Sequence, residues 1–440
     1  MSSLVQKDPI IRLFDVDSVT KKILIMFVLL LPFQHLLKTF SVSNKILRKT
    51  IAYSDELSTL ILIAVLFTFV ALKPKVYKFR ILEIPVTKPF FWFIFVASIS
   101  MVWNSVPIFQ AMFGVYDFTK SILVFYVFAT LRWQRDELIS FIFWIKVVVL
   151  FLAVVGITGQ ILVLAGFDPG FIVRTAGEHK KRLGLDRVVS LTGTGGVNYL
   201  GMYSLLGLFL FYGTTKDKIK RYLGMFITVT LIFMTFSRQS WMGLFAMMVL
   251  TNRKLILPGI LIVAGIAVMT LPAIGRYNPE LYYRSFTYVQ ALNIFVDHPL
   301  IGAGPGMFGG LASVIFHSPY YEDWPTFYRG MMYRLGSLDA FWPAVFAELG
   351  FLGFWMYYLM WSSLHQRISK LSKWFKSQND QGLYNIGTIL KNYLVALVIM
   401  CFFTGLNKPF VIYTFFALCG IYLSLFYRQR QAANAIKVPV

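Results

Sequence analysis

Apolar runs long enough to cross a lipid bilayer recur along almost the whole chain. One of them, VVVLFLAVVGITGQILVLAGF at 147–167, contains no charged residue. A membrane-spanning helix needs about 20 predominantly apolar residues, and in hydrocarbon each backbone polar group must find its partner within the protein. Helices meet that demand segment by segment, so the pattern predicts an all-α fold, a polytopic transmembrane helical bundle of about 12 spans. The spans are expected near 22–40, 55–73, 89–104, 117–131, 139–165, 195–213, 222–236, 239–251, 255–272, 340–362, 392–407 and 409–427. Composition agrees: 14% of residues are charged, against about 25% in soluble domains. The whole chain, 1–440, is read as one integral-membrane domain. The first twenty residues lack a cleavable signal pattern, so the apolar run at 23–37 is expected to remain as an anchor.

The net charge of +22 would suggest nucleic acid in a soluble protein. Here the basic residues flank helices and report topology, and no nucleic-acid partner is expected. With the N-terminus in the cytoplasm, the basic clusters KPKVYKFR (73–80), TKDKIKR (215–221), NRK (252–254) and HQRISKLSKWFK (365–376) all fall inside, and both termini are cytoplasmic. A second set of basic residues falls on the other face. Arg187 belongs to the loop at 166–194, Arg238 to a tight turn at 236–239, and Arg276 and Arg284 to the loop at 273–338. Topology does not call for these charges, and an anionic ligand on the outer side is the simplest reason for them. The 273–338 loop is too long for a plain connector, which points to function.

Several segments carry candidate chemistry. FSRQSWMG, 236–243, sets Arg238 between two apolar runs. It either snorkels to the interface or presents paired donors to phosphate oxygens. DHPLIGAGPGMFGG, 297–310, places His298 before glycines 302, 304 and 306. Glycines there let backbone N–H groups approach an anion closely, or simply make a tight turn, with His298 as a helix cap. No strand precedes this loop and no Lys-Ser/Thr follows it, so neither nucleotide-binding pattern is met. Asp339 lies where the outer loop enters a span, as a functional carboxylate or a helix N-cap. Glu348, nine residues on, is an intramembrane carboxylate. It is either functional or the structural partner of an Arg, a backbone amide or a polar side chain. Arg187 and Asn198 flank a Gly/Thr-rich turn before a span. The outer loop is rich in Tyr and Trp (FHSPYYEDWPTFY), which suits stacking on sugar rings or anchoring at an interface. Cys401 and Cys419 lie in apolar runs as packing residues, and no Cys/His cluster has metal-ligand spacing, so neither metal nor cofactor is expected.

Read in order, four segments resemble the O-antigen ligase and polysaccharide polymerase superfamily, bacterial integral-membrane glycosyltransferases of the GT-C kind. RVVSLTGTGGVNYLG resembles its Arg…Gly…Asn-x-Leu-Gly entry to a span, and FSRQSWMG its Ser-Arg-x-x-Trp/hydrophobic-Gly segment. The run from Arg284 through DHPLIGAGPGMF resembles its Arg…His-Pro-Leu-x-Gly-x-Gly loop, and AELGFLG its Glu-x-Gly-hydrophobic-hydrophobic-Gly signature. The resemblance covers roughly residues 185–355. Ligases of the superfamily carry a His-Asn pair nine residues before that Glu. This chain has Asp339-Ala340, and DAFW is more similar to exopolysaccharide polymerases.

The resemblance implies a polyprenyl (undecaprenyl) diphosphate-linked oligosaccharide as donor and a bacterial cytoplasmic (inner) membrane location with the active site facing outward. The acceptor is a second lipid-linked glycan, or lipid A–core in the ligase alternative. A flippase and a chain-length regulator of the same pathway are the implied protein partners. Negative charge develops on the leaving diphosphate, and preorganised cations stabilise it. Arg238 and Arg284 are the first choices for that clamp, Arg276 and Arg187 the second, and arginine in place of metal is expected. Asp339 is the first choice of general base, His298 and His317 the alternatives. Inverting single displacement is expected rather than a covalent intermediate. The glycine loop is expected to shape the pocket and to offer backbone donors. A non-catalytic lipid-linked oligosaccharide flippase is the rival from another class, and it would predict symmetric halves with polar residues near the midplane.

Overall fold

A computed structural model describes residues 16–34, 36, 37, 61, 64, 68, 84–167, 188, 190–192, 197–251, 283–336, 338, 341–405 and 409–436. Most of the expected span at 55–73, all of that at 255–272, and the candidates Arg187, Arg276 and Asp339 lie outside the described residues.

The described residues are helical, with no strand among them. In chain order the helices are α1 (Val16–Leu30), α2 (Thr87–Trp103), α3 (Ile108–Thr130), α4 (Arg135–Leu164), α5 (Val197–Thr214), α6 (Lys218–Met234) and α7 (Arg238–Thr251). They continue with α8 (Tyr283–Asp297), the short α9 (Leu311–Ile315), α10 (Thr326–Leu335), α11 (Phe341–Ser377), α12 (Gln381–Met400) and α13 (Pro409–Ile436). Four of them, α3, α4, α11 and α12, are long and apolar enough to cross a membrane; Thr87–Trp103 and Phe410–Phe426 are apolar but shorter.

Burial sorts these helices into inner and outer positions. Every residue of 410–425 in α13 is buried, as is nearly all of 199–211 in α5. A helix that is apolar all round belongs inside other helices, and these two are surrounded: α13 packs on α3, α5, α11 and α12, and α5 on α4, α6, α7 and α12. Gly420 makes the α13–α3 approach close, because a Cβ there would stand 2.8 Å from the Ala129 nitrogen and the Phe125 oxygen. Small residues at such contacts let helices approach where lipid supplies no hydrophobic drive. The long α4 buries one stripe (Leu138, Phe141, Ile145, Val149, Leu152) and exposes Phe143, Trp144, Phe151 and Val154. An apolar outward face on an apolar helix is what lipid contact requires, and the chain reads as a membrane protein.

Polar caps gather at one end of the bundle. Gln134 and Glu137 form a capping box at the start of α4, satisfying amide groups that have no partner in the first turn. Asp217 caps α6 and Asp380 caps α12. Arg135 grips Asp380 through two contacts of 3.1 Å, Lys21 reaches Glu137 at 3.3 Å, and Asn385 donates to the Gly213 carbonyl. The helices alternate in direction from this end, so the opposite end holds the C-terminus of α2, the N-termini of α5, α7 and α11, and the segment 298–338.

Candidate functional site

The glycine loop is built around a break in α11. Gly350 has φ 61 and ψ −162, so the helix is interrupted about two and a half turns after its start. A break frees backbone groups that cannot be left unpaired, and residues 299–304 take them up. Ala303 N–H donates to the Ala347 carbonyl (2.8 Å) and Gly304 N–H to that of Glu348 (2.9 Å). On the other side of the break, Phe351 and Leu352 N–H donate to the carbonyls of Pro299 and Leu300. The chain passes so close that a Cβ on Gly302 would lie 2.3 Å from the Glu348 carbonyl carbon.

Glu348 completes this clasp. Its side chain is 1% exposed. One carboxyl oxygen accepts from Gly306 N–H at 2.6 Å and the other from Phe308 N–H at 2.9 Å. From α2 and α3, Asn104 donates to the Gly302 carbonyl and Gln110 to that of Gly306, both at 2.9 Å. Tyr321 hydroxyl accepts from Gly309 N–H (2.7 Å) and pairs with Ser313 (2.7 Å). Burial pushes the Tyr321 phenol well above its ordinary range, and its hydrogen bonds oppose that only in part.

The expected role of the glycines as amide donors to a bound anion is therefore corrected. Gly302 N–H donates to His298 O, Gly304 N–H to Glu348 O, and Gly306 N–H to the Glu348 carboxyl. All three donors are consumed inside the protein. Of the readings open for Glu348, the geometry matches the structural partner of backbone amides.

A second assembly surrounds Arg238. Phe236 adopts φ 47, an uncommon left-handed conformation for a bulky residue, and turns the chain from α6 into α7. Ser237 and Ser240 hydroxyls meet at 2.8 Å across the first turn of α7, and the Trp241 indole N–H donates to Ile232 O. Ser240 also donates to the Asn198 carbonyl at 3.3 Å, and Gly201 leaves room for it, since a Cβ there would sit 2.1 Å from the Ser240 oxygen. The sequence segments around Asn198 and Arg238 are thus packed on one another. Arg238 takes no part in the ion pairs among the described residues, which are Lys21–Glu137, Lys120–Asp117 and Arg135–Asp380. Its Nε is buried and makes no hydrogen bond there. A buried guanidinium donor without a partner, at a helix N-terminus, is a place for an anion.

The remaining candidates lie on the segment 283–338. Arg284 sits in the first turn of α8, near Tyr288, whose hydroxyl donates to Phe402 O. Burial raises the Tyr288 phenol, and the Arg284 charge pulls it back. His298 ends α8 and its Nε2 lies 3.2 Å from the Tyr320 hydroxyl. His317 is exposed, with φ 51, and its Nδ1 lies 3.3 Å from the Tyr333 hydroxyl. Neither imidazole contacts the Glu348 carboxyl.

Sequence reading missed the contribution of α3. Asp117 and Lys120 pair at 2.9 Å. A Cβ on Gly310 would lie 3.4 Å from the Asp117 carboxylate and 3.9 Å from that of Glu348, so both acids border one glycine. The signal was present in FGVYDFTKSIL: opposite charges three residues apart in an apolar helix. Among the described residues no group of three or more His, Cys, Asp or Glu is placed to hold a metal. Comparison with known proteins gives no matching family and no matching curated sequence.

Proposed function

We propose that this chain is a membrane glycosyltransferase that lengthens polyprenyl-diphosphate-linked oligosaccharides at the outer face of a bacterial cytoplasmic membrane. One observation carries the reading. The segments that resemble the polymerase and ligase superfamily meet at one end of the bundle in two packed pairs, and in one pair the Arg238 Nε is buried with no hydrogen-bond partner among the described residues. In this reading the chain spans the membrane about twelve times, keeps both termini inside, and presents that end to the exterior.

The reaction is a displacement at the anomeric carbon. An acceptor hydroxyl attacks that carbon, its C–O bond to the diphosphate breaks, and the bonding pair leaves on the diphosphate. The hydroxyl proton passes to a general base, for which Asp339 is the candidate. Arg238 and Arg284 stabilise the departing charge. The clasped glycine loop shapes the pocket wall without donating to the substrate. The DAFW sequence favours a lipid-linked acceptor over lipid A–core.

The test is a reconstituted reaction in lipid with a defined polyprenyl-diphosphate oligosaccharide as sole substrate. A ladder of longer lipid-linked chains, abolished by Asp339→Asn, is expected. A single product formed only after lipid A–core is added would make the protein a ligase. Absence of transfer to either acceptor, with movement of the lipid-linked glycan between leaflets, would make it a flippase.

A further inference from the structure

Outside the clasp and the Arg238 turn, α8 and the segment 319–325 enclose a cavity of about 520 Å³. The α8 wall presents Gln290, Asn293 and Asp297, and the facing wall presents Tyr320, Asp323 and Trp324. Helical geometry puts 286, 290, 293 and 297 on one face, so this polar row is a property of the α8 sequence. The facing wall is stiff. Trp324, nearly buried, stands edge-on to Phe286 (centroids 5.0 Å apart, 85°) and to Tyr321 (4.7 Å, 62°), and Phe286 stacks on Tyr328 at 4.0 Å and 6°. The His298–Tyr320 contact ties the two walls together at 3.2 Å.

The chemistry of the lining selects its ligand. Among the described residues two carboxylates and no cation line the cavity, which disfavours phosphate and diphosphate. Two carboxylates fall short of the donor set of a dedicated metal site. Two side-chain amides can donate and accept at once, carboxylates accept from hydroxyls, and the aromatic side chains of the facing wall offer apolar surface to C–H groups. A ligand with many hydroxyl groups, apolar ring faces and no negative charge matches all of these. We infer that the cleft between α8 and residues 319–325 is a binding subsite for neutral sugar residues, separate from the arginines assigned to the diphosphate. This rests on the transferase reading only for the origin of the glycan; sugar binding itself is measured apart.

The probe is the free oligosaccharide released by mild acid from the polyprenyl-diphosphate fraction of the source cells' membranes. Saturation-transfer NMR is run with the full chain in lipid nanodiscs. The expected result is transfer to sugar ring protons. Asn293→Ala or Asp323→Ala should each weaken binding about tenfold, the effect of removing one well-made hydrogen-bond partner. Both positions are exposed, so the variants should fold. Arg238→Ala should leave binding of the free glycan unchanged and weaken binding of the intact diphosphate-linked form. Absence of transfer, or transfer unaffected by both cleft variants, would overturn the inference. Binding that the cleft variants abolish, in a protein that transfers the glycan to neither a lipid-linked acceptor nor lipid A–core, would leave the subsite standing and remove the transferase reading.

Discussion

Replacing Glu348 by Gln tests whether the clasp is what holds the glycine loop. The native carboxyl accepts from two amides, one on each oxygen, at 2.6 and 2.9 Å. A glutamine amide has one accepting oxygen and an NH2 group that only donates. Either orientation keeps one loop N–H satisfied and sets the NH2 against the other. Glu348 is 1% exposed, so bulk water does not reach the vacated acceptor position. Leaving one buried amide unpaired costs about 1–3 kcal/mol, and the facing donors push the figure toward the upper end. Taken as about 2–3 kcal/mol of local opening free energy, this is roughly a 30- to 150-fold loss of exchange protection. The assay is hydrogen–deuterium exchange by mass spectrometry on the protein in nanodiscs, read on peptides spanning 302–310. Peptides of α5 and α13 serve as the internal reference, because among the described residues neither helix hydrogen-bonds to 302–310, and they should not change. If the 302–310 peptides exchange at the native rate in Glu348→Gln, the carboxyl does not hold the loop and the reasoning fails. Uniformly faster exchange over α5 and α13 would show a global defect, which also refutes a local clasp.

Other outcomes follow from the same geometry. Gly306→Ala should lower the thermal midpoint, since φ is +79 and the new Cβ would stand 2.5 Å from the Gln110 carbonyl oxygen; backbone strain alone adds about 1–3 kcal/mol, and an unchanged midpoint would exclude the close approach. Arg238→Ala should reduce turnover by roughly a hundredfold or more at saturating donor; Arg238→Lys keeps the charge and loses the planar fork, so native turnover in the Lys variant would refute guanidinium-specific binding. Tyr321 is held neutral by burial, its phenol lying above the ordinary value of 10.0. Its contribution to stability is therefore complete below pH 10 and is lost as pH rises beyond it. Tyr321→Phe should make the alkaline decline shallower by the share Tyr321 contributes while lowering stability at neutral pH by about 1 kcal/mol, as read by unfolding midpoints across pH 8–11. Asp380→Ala should cost more than Arg135→Ala, about 1–2 against under 1 kcal/mol, because Asp380 also caps α12 by accepting from Leu383 N–H; equal effects would mean that the ion pair, not the cap, matters.

The helices were legible where apolarity alone decides them. The expected spans at 89–104, 139–165, 195–213, 222–236 and 239–251 coincide closely with α2, α4, α5, α6 and α7. The errors have a common cause, which is polar residues satisfied by distant partners. The expectation at 117–131 began late because Gln110 interrupts the apolar pattern, yet Gln110 is buried against the Gly306 carbonyl, and α3 begins at Ile108. The expectation at 340–362 ended before the basic stretch HQRISKLSKWFK. Leu364, Ile368, Leu371 and Phe375 form a buried stripe through that stretch and carry α11 to Ser377. Asn385, bonded to the Gly213 carbonyl, and the buried Asn392 likewise belong to α12, which starts at Gln381. At the site, the residue types were visible and their pairing was not. Nothing local to AELG says that its Glu will meet amides some forty residues earlier; that depends on the break at Gly350, which only a neighbouring chain can complete.

This dependence also divides the labour at the candidate site. Irregular backbone next to a membrane-spanning helix survives only when its polar groups are answered by protein. The loop 299–310 answers to the break in α11, to Glu348, and to Asn104 and Gln110. The N–H groups of 302–304 and 306–309 are all engaged by protein, and releasing those that meet α11 would leave its backbone and the Glu348 carboxyl unpaired together. Charge stabilisation therefore has to come from side chains that the scaffold leaves unspent. Arg238 meets that condition: its turn is fixed by Ser237, Ser240 and Trp241, while its own Nε is buried with no hydrogen-bond partner among the described residues. In the proposed transferase, recognition of uncharged groups falls to the α8 cleft, whose carboxylates would repel the diphosphate that an arginine attracts. A glycan carrying a diphosphate at one end would require both environments, held apart by a rigid frame, and the clasp would supply that frame by keeping the loop from yielding to either.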